Sequence, residues 1–263
     1  MFYPVVKVLE YEGSTTLSNF PPNDWESYDL GTKIIHVLWS DGKQWHSKVI
    51  SDLLFGQNLT VSTKDLSDEI LQNNLAFLFP STSELPKLMD SLPQEKKWIT
   101  QLPTWRATVG IKSEVAQTSY QGEIEPFPEK ASLLTFHPFL QFGDFENFLI
   151  TINLQNLPGL KSSKLEIFNS SKRGFIDSRP IRRNSATILP LNQYNFSPTD
   201  LPIFINKEMS AIPFAFGFSK NGSILSIEHT HPPAMLVLHG NRMLVQSEIK
   251  SSWFKKLSQY ENY

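Results

Sequence analysis

The chain has 263 residues, of which 40% are hydrophobic and 19% charged, a composition typical of a globular protein. A net charge of −2 gives no indication of nucleic-acid binding, and the sequence contains no cysteine, which excludes disulfides, thiolate metal sites and cysteine nucleophiles. Aromatic residues make up 12% of the chain, and 18 prolines outnumber 12 glycines. Aromatic side chains suit the pleated surface of a sheet and proline interrupts helices, so we expect a mainly β fold.

The beginning of the chain shows no targeting segment. Residues 1–7 lack the basic and apolar regions of a secretory signal peptide. No apolar run approaches the roughly 20 residues that a membrane-spanning helix needs. We therefore expect a cytoplasmic protein without a membrane span.

The first 103 residues are expected to form an α+β region, either separate or part of one larger domain. The dipeptide Asp41-Gly42 suits a two-residue type I′ turn, which predicts a hairpin in which Leu38 pairs with Trp45. The other predicted elements, in chain order, are a strand over 4–11, a helix over 65–74, a strand over 75–79 and a helix over 82–91.

Residues 104–263 are expected to form a β-rich sandwich or barrel, because short strand-like runs alternate there with turn signals. Strand is therefore expected to exceed helix by at least about two to one over the whole chain. The ten predicted strands are 104–111, 115–124, 131–137, 147–155, 164–168, 185–191, 201–206, 212–219, 223–231 and 234–239.

An amphipathic helix is predicted over 247–260, with Ser247 as its N-cap. We expect its apolar stripe to dock across an edge or an open end of the β region. The stripe consists of Val245, Ile249, Trp253, Leu257 and Tyr260.

The dipeptide Asn221-Gly222 predicts a second hairpin, and a short turn fixes the register of its two strands. One face would then be aromatic and aliphatic and end in two histidines. The predicted pairs on that face are Phe218–Leu225, Phe216–Ile227, Phe214–His229 and Ile212–His231.

Three histidines near this hairpin are candidate metal ligands. His229 and His231 are two residues apart, so on a strand both rings leave the same face, and His239 ends the next predicted strand. Such a set would hold zinc or another divalent metal. The simpler interpretation is that these histidines hydrogen-bond to the backbone or contact a ligand.

A basic run is the candidate anion site. It contains Lys172, Arg173, Arg179, Arg182 and Arg183. Arginine can hold phosphate or carboxylate through two hydrogen bonds, so a small anionic ligand is one interpretation. The favoured interpretation of this basic run is a solvated loop. Acidic residues predominate over 114–146 and basic residues over 160–184, so these segments would face each other or face partners.

Glu123 and Glu125 would share one face of a strand, and paired carboxylates can hydrolyse glycosides, although two surface acids explain them equally well. The sequence has no GxGxxG, Walker A, GxSxG or HExxH motif.

The leading interpretation is thus a soluble β-rich binding or assembly protein without a cofactor, whose partner is a protein or a small anion. The alternative is a metal-dependent hydrolase in which His229, His231 and His239 hold a metal that activates water.

Overall fold

The computed structural model describes residues 1–19, 31–94, 106–171, 174–230 and 242–259. Within these ranges the chain forms seventeen strands and one α-helix, so the expected mainly β fold is confirmed. The strands are β1 (Tyr3–Val6), β2 (Glu12–Ser18), β3 (Lys33–Ser40), β4 (Trp45–Leu53), β5 (Asn58–Ser62), β6 (Leu75–Ser81), β7 (Leu88–Met89), β8 (Arg106–Lys112), β9 (Gln117–Gln121), β10 (Leu133–Phe136), β11 (Phe145–Ile152), β12 (Ser162–Asn169), β13 (Gly174–Arg182), β14 (Ala186–Pro190), β15 (Pro202–Asn206), β16 (Ile212–Ser219) and β17 (Leu225–His229), and the helix is α1 (Arg242–Leu257).

The described strands pair into four antiparallel sheets. Sheet A has the order β1-β6-β3-β4-β7, and sheet B the order β5-β2-β8-β9. Sheet C has the order β14-β11-β16-β17, and sheet D the order β10-β15-β12-β13. Strands that are distant in sequence therefore lie side by side in every sheet.

The four sheets and the helix stack in layers. Buried side chains such as Leu17 of sheet B and Val37 of sheet A form one core. Phe77, on the other face of sheet A, packs with Phe216 of sheet C in a second core. A third core separates sheets C and D, and a fourth lies between sheet D and α1.

Burial on one face or on both explains the sequence patterns of the strands. Sheet A is covered on both faces, and six successive residues of β6, from Leu75 to Pro80, are buried. Sheet B is covered on one face only, so buried and partly exposed residues alternate along β2. Because β2 contributes only Leu17 as a large apolar residue, its sequence did not predict a strand.

Segments on both sides of residue 103 pack together. In sheet B, Glu12 of β2 pairs with Lys112 of β8, and the second core includes both Phe77 and Phe216. Whether residues 1–103 fold on their own stays a prediction.

The first hairpin forms, but its predicted register is wrong, since Leu38 pairs with Ser47 instead of Trp45. The Asp41 carboxylate accepts hydrogen bonds of 2.8 Å from the backbone N–H groups two and three residues later. These bonds close a four-residue turn in place of a two-residue one, and they help to hold the pKa of Asp41 well below its usual range. Between the turn and His36 the register shifts by two residues, so those side chains keep their predicted faces, and a bulge between Ile35 and His36 adds one more residue to the shift beyond that point.

The second hairpin has the predicted register. Phe214 pairs with His229, and the next two predicted pairs toward the turn also form. His231, the predicted partner of Ile212, lies outside the described residues.

Both helices predicted within the first 103 residues are wrong. In place of the helix predicted over 65–74, a helical turn over Thr63–Asp65 is followed by a second turn. In this second turn the Leu71 N–H donates to the Ser67 carbonyl at 3.1 Å. Only the adjacent Ile70 and Leu71 are buried there, so no apolar stripe supports a helix. The second segment contains β7, whose Leu88 pairs with His46.

Strand β13 was expected to be a solvated loop, and this expectation is wrong. It pairs with β12 at the edge of sheet D and includes Pro180, opposite Lys164. An edge strand tolerates proline because the missing N–H would not face a second neighbour.

Helix α1 begins at Arg242, so Ser247 lies inside it and is not its N-cap. The helix covers the outer face of sheet D, and not an edge or an open end as expected. Trp253 meets Phe136 edge to face at 5.1 Å, and Leu257 is 4% exposed. Tyr260 and the side chain of Val245 lie outside the described residues. No described helix is long and apolar enough to cross a membrane.

We expect Leu257→Ala to lower the free energy of unfolding by about 2–5 kcal/mol, because it empties a buried leucine site beneath α1. Urea denaturation measures the change, with the exposed Ser252→Ala on the same helix as the matched control. Equal stability of the two variants would contradict docking of the helix.

A buried histidine makes stability depend on pH. His137 is 1% exposed, and burial lowers its pKa to about 4, although its Nε2–H lies 3.4 Å from the Phe148 carbonyl oxygen. The unfolded chain binds a proton near pH 6.5, whereas the folded chain does so only near pH 4.

We therefore expect His137 to contribute a loss of stability of up to about 3 kcal/mol as the pH falls from 6.5 to 4. Denaturation of the wild type and of His137→Phe across this range isolates the contribution. The ring shifts of His137 in an NMR titration give its pKa directly, and protonation near pH 6.5 would refute the expectation.

Candidate functional site

A cleft of about 410 Å³ lies at one end of sheet D. All four strands of the sheet contribute to it, because their antiparallel order brings alternate strand beginnings and ends to the same edge. Lys130 precedes β10, Lys207 follows β15, Lys161 precedes β12, and Arg183 follows β13. The cleft therefore joins residues that are far apart in the sequence.

The cleft lining is mainly cationic. Its four basic side chains are accompanied by two acidic ones, Glu129 and Glu208. The Lys207 ammonium lies 3.4 Å from the Glu166 carboxylate. Within the described ranges, the other three basic side chains, Lys130, Lys161 and Arg183, form no ion pair with a carboxylate. Glu129 belongs to the acidic segment 114–146, whereas Lys161 and Arg183 belong to the basic segment 160–184. The two segments of opposite charge thus both contribute to this cleft.

Arg183 is the least exposed of the four basic residues. Its backbone N–H donates to the Lys161 carbonyl at 3.0 Å, which extends the β12–β13 ladder by one step. Its Nε atom is fully buried and has no hydrogen-bond acceptor among the described residues. A buried guanidinium N–H without an acceptor is unfavourable.

Asn184 holds the backbone that carries Arg183. It is 2% exposed and has a φ of 52°, a left-handed conformation that asparagine tolerates. Its amide nitrogen donates to the carbonyls of Leu157 at 2.8 Å and Gly159 at 3.1 Å, and its side-chain oxygen accepts the Gln155 N–H at 2.7 Å. These bonds fix the chain direction directly after Arg183.

Asn206 organises the central wall of the cleft and is 1% exposed. Its amide nitrogen donates to the Ser163 hydroxyl and to the Lys164 carbonyl, both at 3.0 Å. Its side-chain oxygen accepts the backbone N–H groups of Glu208 at 2.8 Å and Met209 at 2.7 Å. One buried side chain thereby joins the end of β15 to the beginning of β12.

Helix α1 supports the wall next to β10. The Lys250 ammonium donates to the Ser132 carbonyl at 2.6 Å, two residues after Lys130. Burial lowers the pKa of Lys250. The helix thus contacts the segment that carries Glu129 and Lys130 into the cleft.

Five basic residues were proposed from the sequence as an anion site, and of the three that the structure describes, Arg183 alone lines the cleft. Arg179 lies 2.8 Å from the Asp177 carboxylate, and its Nε–H donates to the Tyr194 hydroxyl at 3.1 Å. Arg182 is exposed and does not line the cleft. The remaining two, Lys172 and Arg173, lie outside the described residues.

Sequence reasoning missed the three lysines of the cleft, Lys130, Lys161 and Lys207. Each follows or precedes a strand, but no local pattern connects them. Only the strand order of sheet D brings them together, and that order results from long-range pairing.

The proposed histidine site is described only in part. The His229 ring stacks on Tyr120 at 6.1 Å and meets Phe214 edge to face at 5.6 Å. His231 and His239 lie outside the described residues, so the metal site stays a prediction. Among the residues that are described, no group of three metal-ligating side chains is present.

Glu123 and Glu125 lie beyond the end of β9, on either side of Ile124, which bridges to Phe2. Glu125 is exposed. One carboxylate oxygen of Glu123 is buried without a partner among the described residues. A catalytic role for this pair stays a prediction.

No protein-family model, curated protein or solved structure matches this chain. The function is therefore inferred from the geometry of the cleft.

We expect Asn206→Ala to lower the free energy of unfolding by about 2–4 kcal/mol, because it leaves several buried polar groups without partners. The exposed Asn58→Ala is the matched control. Hydrogen exchange of the Glu208 and Met209 amides should become faster in the Asn206 variant only. Unchanged exchange would show that Asn206 does not hold the wall.

Proposed function

We propose that this protein binds a small anionic ligand in the cleft at the end of sheet D. The observation that carries the proposal is the lining of the cleft, where four basic side chains outnumber two acidic ones and the partly buried Arg183 forms no ion pair with a carboxylate among the described residues. A bound oxyanion would be attracted by the basic side chains that line the cleft, among them Arg183, Lys130 and Lys161.

The walls of the cleft favour binding because they are ordered before a ligand arrives. Asn184 and Asn206 are both buried, and their hydrogen bonds fix the segments on each side of the cleft. A site whose groups are already in place loses less conformational entropy on binding than a flexible one. The cleft is also within the size range of small-molecule sites, about 300–1,000 Å³.

The test uses inorganic phosphate as the probe, added at constant ionic strength. A charge-assisted hydrogen bond is worth about 1.5–3 kcal/mol, so Arg183→Gln should weaken phosphate binding by about tenfold or more. The neighbouring Arg182→Gln removes the same charge outside the cleft and should leave the Kd within about twofold. Chemical shifts of the Lys161 and Ser162 amides during the titration report the Kd.

Two results would overturn the proposal. One is a wild-type protein that shows no saturable shift at the cleft. The other is an equal loss of affinity in the two arginine variants, which would indicate attraction by overall charge. A melting curve of each variant without phosphate confirms that it is folded.

A further inference from the structure

The turn of the second hairpin contains Asn221-Gly222, the single Asn-Gly pair in the sequence. Asn221 is exposed, and Gly222 has a φ of 68°, a left-handed conformation that glycine adopts readily. Glycine also has no side chain to shield its backbone nitrogen from the preceding residue. Attack of this nitrogen on Cγ of Asn221 would close a five-membered imide ring.

The side-chain oxygen of Asn221 accepts three hydrogen bonds. The hydroxyls of Ser219 and Ser223 each donate to it at 2.7 Å, and the Ser223 backbone N–H donates at 3.1 Å. A backbone N–H can only donate, so the atom that it contacts is the oxygen of the amide and not its nitrogen. Several donors that converge on one carbonyl oxygen form the arrangement that stabilises tetrahedral intermediates of acyl transfer.

These donors favour attack at Cγ of Asn221. Negative charge develops on the side-chain oxygen when the Gly222 nitrogen attacks. Hydrogen bonds to a charged oxygen are about twice as strong as those to a neutral one, so the donors stabilise the transition state more than the ground state. The turn thereby activates the amide that it contains.

One contact opposes the reaction. The Gly222 N–H donates to the Ser219 carbonyl at 2.7 Å, and this hydrogen bond has to break before the nitrogen loses its proton. The reaction therefore loses one neutral hydrogen bond, whereas three others become charge-assisted. The balance favours reaction at Asn221.

Two other asparagines followed by a small residue are protected by burial. Asn169 and Asn184 each precede a serine, but they are 3% and 2% exposed. The Asn169 side-chain oxygen accepts the Ser171 N–H at 3.0 Å, and the Asn184 amide nitrogen donates to two backbone carbonyls. Both serve as controls within the same chain.

We propose that Asn221 is a site of spontaneous deamidation in the folded protein. The Gly222 nitrogen loses its proton to hydroxide or a buffer base and bonds to Cγ of Asn221, the Cγ–Nδ2 bond breaks, and ammonia leaves with a proton from water. Water then adds to one carbonyl of the imide and breaks its bond to the Gly222 nitrogen, which takes up a proton. Opening at Cγ gives aspartate, and opening at the backbone carbonyl gives isoaspartate.

Both products add negative charge to the turn. Isoaspartate also routes the main chain through Cγ and so lengthens it between Ser219 and Ile224. The Ser219 N–H donates to the Ile224 carbonyl at 3.0 Å to close the hairpin. Formation of isoaspartate would therefore loosen the ends of β16 and β17 next to the turn.

Peptide mapping by mass spectrometry tests the inference. The full chain, folded or unfolded in urea, is incubated at neutral and alkaline pH in water enriched in heavy oxygen and then digested. In the folded chain Asn221 should convert before Asn169 and Asn184, and the products should contain heavy oxygen. Conversion should be faster at alkaline pH, because the Gly222 nitrogen has to lose a proton.

Two variants separate the contributions. Ser223→Ala removes a hydroxyl donor from the Asn221 oxygen and should slow conversion about fivefold, since one charge-assisted hydrogen bond is lost in the transition state. The exposed Ser252→Ala on α1 is the matched control and should leave the rate unchanged. Asn221→Gln should stay unmodified, because its additional methylene prevents closure of the five-membered ring. Melting curves confirm that each variant is folded.

The inference is wrong if the folded chain keeps its amide at position 221 during the time in which the unfolded chain converts. It is also wrong if Ser223→Ala converts as fast as the wild type or faster, since the hydrogen bonds would then protect the amide.

Discussion

The fold depends on covering three of its four sheets on both faces. Sheet A packs against sheets B and C, sheet C packs against sheet D on its other face and also contacts sheet B through Tyr120, and sheet D packs against sheet C and α1. A strand that is itself covered on both faces has to be apolar at successive positions, as β6 is. Its backbone polar groups then depend on pairing within the sheet, because water reaches neither face. The cleft lies where the strands of one such sheet end and polar side chains can again meet solvent.

The sequence predicted those elements whose determinants are local. Asn221-Gly222 and the alternation around it were sufficient for the register that pairs Phe214 with His229. Asp41-Gly42 predicted a hairpin but not its turn length, because the Asp41 carboxylate competes for backbone N–H groups. Strand β13 was missed because Pro180 argues against a strand unless the strand is known to lie at an edge.

The candidate site was predictable only in part. Arginine in a basic run indicated an anion, and Arg183 is in the cleft. The sequence alone could not show that Arg183 lies in the cleft and its neighbour Arg182 does not. That difference depends on where β13 ends. Lys130 and Lys207 are 77 residues apart in the sequence. The pairing of β10 with β15 brings them to the same cleft. Asn206, which orders the wall between them, resembles any other asparagine in a polar segment of the sequence.

If the cleft binds the proposed anion, the contribution of four separate strands to it links occupancy to the lifetime of the protein. The cleft residues span positions 129 to 209, so the unfolded chain presents no equivalent site. A ligand then adds its binding free energy to the native state alone, and the unfolded fraction falls as the ligand concentration rises. Proteases that act on transiently unfolded chains would degrade the empty protein faster than the occupied one. The abundance of this protein would thus follow the supply of its ligand without any change in its synthesis.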